Sequence, residues 1–155
     1  MVLNGPNLNL LGERERDLYG QKTLPEIERI LKKTGEEMGC EVFTAQANGE
    51  GELIDLLQKN RKWAHGIVFN PGAYTHYSYA LRDAVAAINL PVIEVHLSNI
   101  QARENFRGKS VISPKTLGQI TGLGWKGYVL ALCGLISSIK EDGFFCFEPE
   151  RAEDS

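Results

Sequence analysis

The stretch GIVFNPGAYTHYSYALRDAVAAINLPVIEVH, residues 66–96, decides the fold. It opens on GIVFN, a short run of apolar side chains with no polar alternation, the pattern of a strand buried on both faces. HYSYALRDAVAAINL then takes the spacing of an amphipathic helix and stops before Pro91. PVIEVH is a second buried strand. Strand, helix and strand in succession make a βαβ unit, with parallel strands joined by a right-handed crossover.

Outward from this unit the alternation repeats. MVL starts a very short first strand. TLPEIERILKKTGEEMG (23–39) carries the start signals of a helix: Thr23 to cap, Glu26 to complete a capping box, and Pro25 in the first turn. Leu24, Ile27, Ile30, Leu31 and Met38 form its apolar stripe, and Gly39 ends it. CEVFTAQA (40–47) reads as the second strand and GELIDLLQKN (51–60) as a short helix. IQARENF (100–106) reads as another short helix, SVIS (110–113) as a fifth strand, and GWKGYVLALCGLISSIKED (124–142) as a long closing helix. The expected architecture is α/β, a flavodoxin-like three-layer sandwich whose five-stranded parallel sheet has the order 2-1-3-4-5. Residues 1–148 are expected to form one catalytic domain, and the acidic residues 149–155 to fray.

Composition narrows the function classes. A chain of 155 residues, 43% hydrophobic, suits one folded domain. The formal net charge is -3 and the basic residues are scattered, apart from Arg14/Arg16 and Arg103/Arg107, so nucleic acid is not an expected partner. No apolar run reaches membrane-spanning length and no leader is evident; the expectation is a cytoplasmic protein with no membrane partner. Cys40, Cys133 and Cys146 are odd in number, lack CxxC spacing and read as reduced thiols. The histidines and cysteines are too dispersed for a metal site, and no GxSxG elbow, P-loop or GxGxxG occurs.

In such folds ligands gather beyond the carboxyl ends of the strands, where the strand order reverses. The residues able to do chemistry fall there. Asn7, Arg14 and Tyr19 follow strand one; Asn70 and His76 follow strand three; His96, Ser98, Arg103 and Arg107 follow strand four. Plainer readings stand beside these. Asn4-Gly5-Pro6-Asn7 also reads as a tight turn, Tyr19 as a loop anchor, His76 as a capping or core residue and His65 as a surface residue. Glu94 and His96, two apart on a strand, share a face, so the carboxylate can hold one ring nitrogen and leave the other for a ligand. Arg103 and Arg107, four apart on the expected helix with Glu104 between them, suit either a solvated face or a small anion. The acid–base candidates are His96, His76 and Tyr19.

Three motifs, NGPNLNLLGERERDLYG (4–20), NPGAYTHYSYALRDA (70–84) and EVHLSNIQARENFR (94–107), together resemble the type II 3-dehydroquinate dehydratases over nearly the whole chain. The resemblance implies a cofactor-free hydro-lyase of the shikimate and quinate pathways, which eliminates water from 3-dehydroquinate through an enolate to give 3-dehydroshikimate. It implies Tyr19 as the base with Arg14 beside it, His96 as the acid, and Asn7 as the holder of an enolate-stabilising water. Asn70, His76, Leu97, Ser98 and Arg107 match substrate-binding positions. Asp83 matches a position that reaches a neighbouring subunit's site in a dodecamer built from trimers. Arg16 departs from the family, which often has proline there.

The chemistry passes a test of magnitude. Ionising a phenol of pKa about 10 near neutrality costs roughly 4 kcal/mol. One guanidinium about 4 Å away supplies about that much at an effective dielectric of ~20. Desolvation works against the phenolate, so one arginine is barely enough, and Arg107 is the candidate for a second cation. Residues 4–20 then read as a lid that delivers a phenolate with its own counter-charge. The competing readings are a non-catalytic flavodoxin-like module for a nucleotide or flavin, and a scaffold that only oligomerises.

Overall fold

The structure, a computed structural model, describes residues 1–13, 17 and 20–141. Arg14, Arg16, Tyr19, Cys146 and the acidic end of the chain lie outside the described residues.

Five strands form one sheet: β1 (Val2–Asn4), β2 (Thr44–Gln46), β3 (Ile67–Asn70), β4 (Val92–His96) and β5 (Gly118–Thr121). Their order is β2-β1-β3-β4-β5 and every pairing is parallel, as the alternation of elements required. The α-helices among the described residues are α1 (Leu24–Glu37), α2 (Glu50–Asn60), α3 (Tyr79–Ala87) and α4 (Lys126–Lys140).

Successive strand residues point to opposite faces, and in the inner strands β1, β3 and β4 both faces are buried. Val2, Val68, Ile93 and Val95 pack with Leu24, Ile27 and Leu31 of α1 and with Leu132 and Leu135 of α4. Leu3, Ile67, Phe69 and Val92 pack with Leu53 and Leu57 of α2 and with Leu81 and Val85 of α3. Each large apolar side chain so buried contributes about 1.5–3 kcal/mol, which is why the inner strands have no polar alternation to show.

Local chemistry sets the helix ends. At α1 the capping box forms in both directions: Thr23 N–H donates to Glu26 Oε2 at 2.7 Å, and Glu26 N–H to Thr23 Oγ1 at 3.4 Å. Helix α3 is shorter than its sequence span. A 3-10 turn (Gly72–His76) precedes it, Ser78 caps it by accepting from Leu81 N–H at 3.0 Å, and Asn89 leaves it in a left-handed conformation before Pro91.

Two expectations are corrected. The fifth strand is Gly118–Thr121, not 110–113. Val111 and Ile112 are buried in the core, but the Ser110 hydroxyl accepts the N–H groups of Ile112 and Ser113, and Pro114 sits in a 3-10 turn. The backbone there is committed to a turn before it can join the sheet. Nor is 100–106 an α-helix. It is two 3-10 turns, Ile100–Ala102 and Asn105–Arg107, with Arg103 extended between them. Ile100 is the only buried side chain in these two turns, too small an apolar face to hold an α-helix. Arg103 and Arg107 are therefore not stacked on one helix.

Candidate active site

The cleft forms where β1, β3 and β4 end. Gly5 N–H donates to Asn70 O at 2.7 Å, bringing the loop after β1 against the loop after β3. A Cβ on Gly5 would stand 2.7 Å from the carbonyl carbon and oxygen of Pro71, so only glycine permits this approach. Asn7 then turns the chain in a left-handed conformation at φ 67°, and Leu8 and Leu11 bury themselves in the α1/α4 core. These leucines give the start of the 4–20 stretch its anchorage.

Asn7, Asn70, His76, His96, Leu97, Ser98, Arg103 and Arg107 all line this one cavity of about 140 Å³. Asp83 is exposed on α3 and does not line it. Arg14 and Tyr19 lie outside the described residues.

His96 is buried at the end of β4, and its Nε2 lies 2.6 Å from Oε1 of Glu94. A carboxylate only accepts, so Nε2 carries the proton and Nδ1 is the nitrogen left for the cleft. Glu94 is itself fully buried and held by the hydroxyls of Thr75 and Ser110; Ser110 Oγ is 3.0 and 2.9 Å from the two carboxylate oxygens. Burial alone pushes the Glu94 carboxyl up. The bonds from His96, Thr75 and Ser110 outweigh it and hold the group below its ordinary value, as an anion. A buried carboxylate with three donors is a firm counter-charge for an imidazolium.

His76 has the complementary tautomer. Its Nδ1 donates to Lys109 O at 2.8 Å, which leaves Nε2 as an acceptor. Burial pulls its pKa down, the charges of His96, Arg107 and Arg103 add to that, and the bond to Lys109 opposes it. The two rings are thus held differently: His96 by a carboxylate at Nε2, and His76 by a carbonyl at Nδ1 with burial and neighbouring charges favouring its neutral form.

The arginines share an anion. Glu104 Oε2 is 3.1 Å from Arg107 Nε and 3.9 Å from Arg103 Nε, and the Arg107 guanidinium lies over the Phe106 ring, 4.9 Å from its centroid. Both cations border the cleft, so it suits an anionic, hydroxylated small molecule. Among the described residues no group of three His, Cys, Asp or Glu side chains is arranged to hold a metal ion.

The sequence reading missed Thr75, Ser110 and Tyr128. The Tyr128 hydroxyl, on α4, donates to Asn4 Oδ1 at 2.6 Å and accepts from Asn70 Nδ2 at 2.9 Å. Ser110 left a faint signal, since a serine two residues before an N–H it can cap, followed by Ser113-Pro114, marks a turn. Tyr128 left none. It reads as one more core aromatic of an apolar helix.

The family model described as "Dehydroquinase class II" matches residues 1–136. A 3-dehydroquinate dehydratase of Pelotomaculum thermopropionicum is 59% identical over 132 residues, covering 85% of this chain and 92% of that one. A 3-dehydroquinate dehydratase of Bacillus licheniformis is 58% identical over 132 residues, covering 85% and 91%. Among solved structures, the type II dehydroquinase from Propionibacterium acnes matches with a TM-score of 0.85 at 43% identity, covering 88% of this chain and 94% of that one. The match runs through all five strands and every residue that lines the cleft, and the chain belongs to the class II dehydroquinase family.

Proposed function

We infer that this chain is a hydro-lyase that removes water from 3-dehydroquinate to give 3-dehydroshikimate. The observation that carries the reading is the His96–Glu94 pair at the edge of a cleft bordered by two arginines, in a member of this family. An anti elimination needs a base on one face of the substrate and an acid on the other. Tyr19, as phenolate, takes the C2 proton with Arg14 as its counter-charge, and an enolate forms. Asn7 holds the water that stabilises the enolate oxygen. His96 gives a proton from Nδ1 to the departing hydroxyl, which leaves as water, while Glu94 holds the opposite nitrogen. One proton is taken and one is given, so no external acid is consumed.

Asn70 and His76 bind the substrate's oxygens. The Leu97–Ser98 turn, with Arg107 and the support of Arg103, takes its carboxylate. Neither a cofactor nor a metal enters the scheme. Asp83, exposed on α3, serves a neighbouring subunit's site in trimers that build a dodecamer, and the protein works in the cytoplasm. No helix among the described residues is long and apolar enough to cross a membrane.

The test is turnover of 3-dehydroquinate, followed by the ultraviolet absorbance of the conjugated enone, in the presence of chelator and, separately, with protein first treated with substrate and borohydride and then freed of both. Turnover should survive both reagents, because neither a metal nor a Schiff base takes part. No absorbance rise with fresh substrate overturns the assignment. Light scattering on the purified protein checks the dodecamer separately.

A further inference from the structure

We propose that Tyr128 is a positioning residue whose buried hydroxyl sets the amide of Asn70 for the substrate. The proposal rests on the reading of Asn70 as a substrate ligand and adds a residue that touches neither the cleft nor any acid–base group.

Tyr128 stands in the first turn of α4 and has no exposed surface. Burial pushes its hydroxyl well above the ordinary phenol value, so the group stays protonated and serves only to hold its neighbours. A phenol has one hydrogen to give. Here it goes to Asn4 Oδ1 at 2.6 Å, at the end of β1. The lone pairs of the hydroxyl then face Asn70, which must present its nitrogen; Nδ2 donates at 2.9 Å. At its other end, Asn70 Oδ1 accepts Gly72 N–H at 3.1 Å.

A carboxamide has nearly the same shape either way round, so its partners alone decide which end is oxygen. The reversed amide would set NH₂ against the N–H of Gly72, a fixed donor, and would draw the Tyr128 hydrogen away from Asn4 Oδ1. The first contact is repulsive and the second leaves a buried acceptor without its donor. The orientation is therefore dictated, and one Nδ2 hydrogen remains on a residue that lines the cleft, available to an oxygen of the substrate.

Stability alone does not account for this arrangement. Asn4 Nδ2 is buried and has no hydrogen-bond partner among the described residues. A core that keeps a phenol, two amides and an orphaned donor gains little over an apolar core of the same shape. What it gains is a fixed amide at the rim of the site.

The test is kinetic. Tyr128→Phe should raise KM for 3-dehydroquinate about tenfold, the loss of one well-aligned hydrogen bond, with kcat within about threefold of the parent. Asn70→Ala should raise KM by itself, and adding Tyr128→Phe to that background should change it by less than about twofold. Three results overturn the proposal: an unchanged KM in Tyr128→Phe with only a lower melting temperature, additive effects in the double variant, or a fall confined to kcat. If Asn70→Ala leaves KM unchanged, the reading of Asn70 falls and takes this proposal with it. If Asn70→Ala raises KM and Tyr128→Phe does not, the proposal alone falls. Should Tyr128→Phe fail to fold, Asn4→Ala keeps the hydroxyl but removes its acceptor. A KM rise of about threefold then supports the role, and an unchanged KM overturns it.

Discussion

The two ends of the sheet are made by the same strands and the same closing helix, yet they are opposites. At the carboxyl end the last positions of β1, β3 and β4 are Asn4, Asn70 and His96, all buried and each making a side-chain hydrogen bond. At the amino end lies a larger groove of about 520 Å³, lined by Met1, Val42, Phe43, Trp63, Leu132, Leu135, Ile136 and Ile139. Phe43 and Trp63 meet there edge to face at 4.7 Å, each about half exposed. Size does not mark the active end. Convergence does: at the carboxyl end buried polar groups hold one another through hydrogen bonds, and imidazoles and amides from three strand ends border one cleft.

The comparison can be broken by substitutions at each end. The largest effect belongs to the proposed acid and base. His96→Ala and Tyr19→Phe should each lower kcat by about 10²–10⁴, measured as turnover of 3-dehydroquinate. A loss under tenfold in both would move the chemistry elsewhere. Next is Leu135→Ala at the amino end, where a buried side chain is removed from the groove wall. It should cost about 2–5 kcal/mol of stability in urea unfolding, while kcat and KM of the folded protein stay within about twofold. A large kinetic change would mean that the two ends are coupled.

Two smaller effects sharpen the picture of the carboxyl end. Glu94→Gln keeps the size of the side chain but removes the counter-charge of the imidazolium. It should lower kcat by about ten- to a hundredfold, measured as turnover of 3-dehydroquinate. A kcat within about twofold of the parent would reduce Glu94 to packing. The smallest effect is the response of stability to acid. The folded pKa of His76 lies below its unfolded value of about 6.5, so the unfolded chain takes the proton first. This contribution is complete above that pH and is lost as the pH falls. Glu94, also lowered, adds a second loss below about pH 4.3 by the same sign. His76→Gln should flatten the first step in melting temperature against pH; an unchanged curve would show that His76 does not sense acid.

How much of this was legible in the chain differs from element to element. The apolar runs at 66–70 and 91–96 announced their strands because burial on both faces leaves no room for polar alternation. The capping box at Thr23 and Glu26 was equally plain, since both of its partners lie within four residues. Strand β5 was not. Its residues Gly118 to Thr121 are half-exposed and paired on one side only, so burial imposes little on them, whereas the apolar pair Val111 and Ile112 looked more like a strand. The 100–106 run had helical spacing but lacked the apolar face to make that spacing count.

At the site, sequence alone determined which side chains stand at the strand ends, because chain order and the alternation of strand and helix place them there. It also determined that Glu94 and His96 share a face, a consequence of the two-residue period of a strand. Only the tertiary structure decided which nitrogen each histidine offers, because Lys109 reaches His76, and Thr75 and Ser110 reach Glu94, from segments distant in the chain. It alone joined Tyr128 to Asn4 across 124 residues of chain. Hydrogen-bond partners so distant in sequence leave no periodicity to read; their pairing exists only when the sheet and its helices close around them.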